Sequence, residues 1–86
     1  MQAIANEVNT LTLNAVAKLI GFCNDNDDVV SYTEDINTVV NALHTFNNDN
    51  NAEEFALTLM QLDSFVRDYF ACVIDYCEAE YEVYVQ

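Results

Sequence analysis

Residues 31–51 read SYTEDINTVVNALHTFNNDNN, and the fold class follows from how this stretch starts, repeats and stops. Ser31-Tyr32-Thr33-Glu34 matches a capping box, in which the serine side chain accepts from one free backbone N–H and the glutamate reaches back to another. Glu34 and Asp35 then place negative charge in a first helical turn, where the helix dipole favours it. Ile36, Val39, Val40, Leu43 and Phe46 follow at intervals of three and four, the period of one helix face. The run ends in Asn47-Asn48-Asp49-Asn50-Asn51, residues that bond their own backbone and tolerate turns. The stretch predicts a helix over 32–46 between two polar punctuation marks.

Outward from it, the same grammar recurs. The chain has no proline and one glycine, Gly21, so Asn/Asp clusters must end its helices. Asn24-Asp25-Asn26-Asp27-Asp28 is the second such cluster. Before it, Ile4, Val8, Leu11, Ala15, Leu19 and Phe22 form an apolar stripe that predicts a helix over 2–22, with Val16 and Ile20 widening it and Gly21 near its terminus. After residue 51, Asn51-Ala52-Glu53-Glu54 offers a further cap. From Phe55 through Leu59, Leu62, Val66, Tyr69, Val73, Tyr76 and Cys77 the spacing stays helical, and Met60, Phe70 and Ile74 make almost every face apolar somewhere. Such a segment is central and touched on several sides. Asp63-Ser64 either caps a fresh helix, giving 52–62 and 64–80, or lies within one bent helix. Residues 81–85 alternate as a short strand would, but without an evident partner strand. The expectation is one all-α domain over 1–86, a small bundle of three to four helices.

Composition narrows the function. Fifteen acidic side chains stand against two basic ones, Lys18 and Arg67, giving a formal net charge of −13 in 86 residues. A disordered acidic tail is poor in apolar residues, whereas this chain is 52% hydrophobic, so the charge belongs to a folded surface. That surface repels itself and is suited to a positively charged partner. Two cations cannot neutralise a run of phosphates, which excludes direct nucleic-acid binding. No stretch is apolar and uncharged over the roughly 18 residues of a membrane span. Residues 1–20 lack the features of a secretory signal, and the three cysteines, Cys23, Cys72 and Cys77, suit a reducing compartment. A cytoplasmic location is expected.

Candidate chemistry is sparse. His44 is the single histidine and has no nucleophile beside it. Cys72 and Cys77, five apart, point about 140° away from each other on a helix and make poor metal partners. An EF-hand template laid on Asn24–Asp35 fails at Val29, where glycine is needed, and at Asp35, where a bidentate glutamate is needed. Leu62-Asp63-Ser64-Phe65-Val66 resembles the Asp-Ser-Leu attachment site of acyl carrier proteins, which would imply a phosphopantetheine arm on Ser64. That family has two further helices after the motif, whereas 22 residues follow Ser64 here. The reading is of a protein that is not an enzyme and takes no cofactor or metal.

The acidic pattern carries the remaining signal. Asp68, Asp75, Glu78 and Glu82 recur at seven, three and four, a row along one side of a helix, with Glu80 and Asp63 at its flanks. Neighbours in the row are about 4.5 to 10.5 Å apart by helical rise, bracketing the roughly 7 Å between phosphates of a DNA strand. Tyr69 and Tyr76 fall on the apolar stripe and are expected in the core. Tyr81 and Tyr84 are expected to be more exposed and to join the acids as a contact surface. The loop acids Asp25, Asp27 and Asp28 complete the candidate set.

Small size, excess acid, a helical core and scarce lysine and arginine together make the chain similar to the DNA-mimic inhibitors of bacteriophages and mobile elements, including anti-restriction and anti-CRISPR proteins. The resemblance is of composition, with no shared motif, so it assigns no residue. It implies a stoichiometric inhibitor that occupies the basic DNA- or RNA-binding site of a host defence or nucleic-acid-processing enzyme in the host cytoplasm. The alternative is a helical adaptor, homodimeric through spare apolar surface, that binds another kind of basic protein.

Overall fold

The computed structural model describes residues 2–26 and 29–83, with side chains from 4–26 and 32–83. These residues form five helices: α1 (Gln2–Asp25), α2 (Val29–Asp49), α3 (Ala52–Met60), α4 (Ser64–Tyr69) and α5 (Ala71–Tyr81). The described residues are all-α, with more helices than the three to four expected. α1 alone, at about 1.5 Å per residue, accounts for nearly all of the 38 Å longest dimension. It packs along α2 on one side and along α4 and α5 on another, while α3 bridges α2 and α5. Val8, Leu19, Val39, Phe46, Leu59, Phe70 and Val73 meet in the single core this arrangement encloses.

The Asn/Asp clusters end helices by direct bonding. At the close of α1 the backbone N–H and the side-chain amide of Asn26 both donate to the Phe22 carbonyl, at 3.1 and 2.9 Å. With that terminator in place, α1 runs through Gly21 to Asp25, past the expected end at 22. Asn50 takes the left-handed conformation, φ 59°, and its N–H closes α2 on the Phe46 carbonyl at 2.7 Å. Asn51 then caps α3, its side-chain oxygen accepting from Glu54 N–H at 3.1 Å.

Two expectations need correction. α2 begins at Val29, so Ser31 is its third residue and not the residue before it. Val29 and Val30 are both helical, so the helix starts two residues before the expected capping serine. The segment after residue 51 is neither one bent helix nor two, but three. Asp63 caps α4 as its sequence suggests, accepting from Phe65 N–H at 3.2 Å. The further break falls at Phe70, whose φ of −107° and ψ of 10° leave the helical region. Phe70 is fully buried, and its carbonyl accepts from both Val73 and Ile74 N–H at 3.0 Å to restart the helix as α5. The buried side chains Leu59, Leu62, Val66, Phe70, Val73 and Cys77 nonetheless keep one spacing of three and four across both breaks.

α1 and α2 are registered by a polar clasp. Asn9 and Asn47 exchange two amide hydrogen bonds, each 2.8 Å, and Asn9 also donates to the Ala5 carbonyl at 2.8 Å. A paired amide of this kind satisfies both donors and acceptors only in one axial register. At the other end of α5, Glu82 adopts φ 54° and reverses the chain, so that Val83 returns to the core. No strand occurs among the described residues, and residues 84–86 lie outside them.

Candidate functional site

The break at Phe70 divides the predicted acidic row between two helices. Asp68 sits on α4, Asp75 and Glu78 on α5, and all three are exposed. The bend nonetheless brings them to one place. They line a shallow groove of about 250 Å³ whose floor is Met60, Ala71 and Ile74. Met60 is the last residue of α3, so three helix ends meet here.

Arg67 also borders the groove, and its role is local. Its Nη1 donates to the Met60 carbonyl at 3.3 Å. That carbonyl belongs to the last turn of α3, where backbone oxygens lack helical partners and a cation offsets the dipole. One of the two basic side chains of the chain is thereby engaged in holding α4 against α3. The groove presents carboxylates around an apolar floor, which suits a long cationic side chain whose stem packs on methylene surface while its head meets oxygen.

The other predicted residues are placed as follows. Glu80 and Glu82 are exposed but do not line the groove. Glu80 and, from α1, Glu7 act on the Tyr76 phenol, whose pKa is raised first by loss of solvent and then by these two carboxylates. Glu7 is a neighbour that sequence spacing could not supply, because only the packing of α1 on α5 puts it there. Glu82 ends α5 in the left-handed turn, off the helical row. Asp25 is exposed at the end of α1. Asp27, Asp28 and Tyr84 lie outside the described residues.

Tyr81 contradicts its expected exposure. It is half-buried against the core, edge-on to Phe46 with ring centroids 6.0 Å apart, and its hydroxyl is buried with no hydrogen-bond partner among the described residues. Burial raises its pKa, with smaller contributions from Cys77 and Tyr76. The packing of α5 is the cause, since it lays the last turn of that helix against Phe46 of α2. Tyr69 and Tyr76, expected in the core, are half-buried at its edge. Tyr69 joins Phe22, Tyr32 and Phe65 in an aromatic cluster with centroid distances of 5.2 to 6.5 Å. His44 is exposed on α2. Ser64 opens α4 directly after its cap, Asp63, so helix initiation accounts for the Asp-Ser pair.

No protein-family model, curated protein or solved structure matches the chain.

Proposed function

We propose that this protein is a non-catalytic inhibitor that presents carboxylates in place of nucleic-acid phosphates and blocks the basic site of a nucleic-acid-processing or defence enzyme. The observation that supports it most is the groove bordered by Asp68, Asp75 and Glu78 over an apolar floor, set in a chain of net charge −13. Lysine or arginine side chains that normally hold phosphates would enter this groove. The carboxylates stand on helices, so little conformational entropy is lost when they are paired. Asp25, Glu80 and Glu82 extend the negative field beyond the groove and speed encounter with a cationic surface.

The test is recovery of the tagged protein from bacterial lysate, at low and at 0.5 M salt, followed by competition with added DNA. A nucleic-acid enzyme that is retained at low salt, released at high salt and displaced by DNA is the expected result. The triple variant Asp68→Lys/Asp75→Lys/Glu78→Lys should keep its helical circular dichroism and lose inhibition, since all three side chains are exposed. Undiminished inhibition by the triple variant would exclude the groove as the contact.

A second reading, a helical adaptor for some other basic protein, is favoured by exposed apolar residues on α1, above all Leu13 and Ile20. A partner held that way would be indifferent to both salt and DNA.

A further inference from the structure

The acids of this chain are not spread evenly. Between Val8 and Asn24 there is no Asp or Glu, and Lys18 is the one charged side chain. This acid-free stretch is most of α1, and its solvent side carries Thr10, Leu13, Ala17, Ile20, Gly21 and Asn24, all exposed. Leu13 is 53% exposed, the most of any large apolar side chain described, and Ile20 is 39% exposed. Neither belongs to the buried core.

Gly21 is equally unexplained by the fold. It has no positive φ, a Cβ placed there would meet nothing within 4 Å, and in a helix glycine is less favourable than alanine. The monomer has no use for its smallness. Glycine on a helix face with free space in front of it lets another backbone come close.

We infer that this face is a contact between two copies of the chain, with α1 packed antiparallel on α1 about a two-fold axis at Ala17. The face is self-complementary about that residue. Leu13 and Gly21 are each four residues from Ala17, about 6 Å along the helix. An antiparallel two-fold therefore brings Leu13 of one copy level with Ile20 and Gly21 of the other, where the apolar side chains meet and the missing side chain leaves room. The contact is isologous, as a two-fold requires. A chain of net charge −13 repels a second copy, and that repulsion is smallest where, as on this face, neither helix offers a carboxylate. Glu7 and Asp25 flank the stretch at its two ends, so residual repulsion remains and salt strengthens the dimer. That sign is opposite to the salt dependence proposed for target binding, which separates the two readings: loss of either leaves the other standing.

Sedimentation equilibrium at about 100 μM protein, in low salt and in 0.5 M salt, tests this. A dimer that tightens with salt is expected. Leu13→Glu and Gly21→Leu should each weaken it at least about ten-fold, while leaving monomer helicity intact, since both positions face solvent in the fold. In a Cys72→Ser background, Ala17→Cys should form an intermolecular disulfide on mild oxidation far faster than Thr45→Cys on α2. A chain that stays monomeric in 0.5 M salt would overturn the inference. So would a dimer indifferent to Leu13→Glu and Gly21→Leu, or equal cross-linking at positions 17 and 45.

Discussion

Thr12 is the one polar side chain buried among the core residues described, with none of its surface exposed, and its Oγ1 has no hydrogen-bond partner among the described residues. Other threonines of the chain bond back along their helices, as Thr38 does to the Glu34 carbonyl at 3.0 Å and Thr58 to the Glu54 carbonyl at 2.9 Å. A buried hydroxyl left unpaired costs about 1–3 kcal/mol. Thr12→Val keeps the branched shape, replaces the hydroxyl with a methyl, and leaves helix propensity almost unchanged. The variant should therefore be more stable by about 1–2 kcal/mol. At about 2.1 cal/mol/K per residue, the unfolding entropy of an 86-residue chain is about 180 cal/mol/K, so Tm should rise by about 5–11 °C. Thermal and urea unfolding followed by circular dichroism at 222 nm would measure it, with an unchanged urea m-value showing that stability, and not the surface exposed on unfolding, has changed. Thr12→Ser, which keeps the hydroxyl and deletes the methyl, should go the other way by about 1 kcal/mol. If Thr12→Val were destabilising by 1 kcal/mol or more, the hydroxyl would be engaged in a bond and the reasoning would fail.

Two more outcomes follow from caps and thiols. Asn51→Ala removes the acceptor for Glu54 N–H and should lower stability by about 1 kcal/mol, read as a Tm loss of about 5–6 °C; a loss below a degree would mean that water replaces the cap without cost. Burial, then the Glu78 carboxylate, pushes the Cys77 thiol from 9.0 up to about 11. Between those values the unfolded chain has released a proton that the folded one keeps, so stability should fall as pH rises from 9 to about 11, by on the order of 2 kcal/mol. Burial of Tyr76 and Tyr81 raises their pKa values too and should carry the decline on above pH 10. Cys77→Ala should flatten the part of the curve below pH 10, and an unaltered slope there would show that the thiol is not its source.

Helix ends written in Asn and Asp were legible because the terminating bonds are local. Asn26, Asn51 and Asp63 each bond within four residues, so sequence spacing alone exposes them. Ser31 misled for the same reason: the local pattern of a capping box was present, but two valines before it extend the helix. The break at Phe70 had no local mark, being a core phenylalanine whose burial fixes the backbone around it. The candidate site shows both cases. Asp75 and Glu78, one turn apart, were readable as neighbours, whereas their meeting with Asp68 over Met60, and of Glu7 with Tyr76, depends on how helices pack. The burial of Tyr81 had no local mark either, because it depends on α5 packing against Phe46 of α2.

The cysteines give the molecule a built-in reporter of its own opening. Cys72 is exposed, while Cys23 and Cys77 are fully buried on α1 and α5. An alkylating reagent meets the first thiol in the folded protein and the other two only in molecules whose helices have parted. The slow phase of labelling then equals the intrinsic thiol rate multiplied by the fraction open, provided reclosing outpaces the reagent. In a chain without tryptophan, counting alkylated masses over time would read the free energy of opening the core around the buried thiols, under native conditions and without a denaturant.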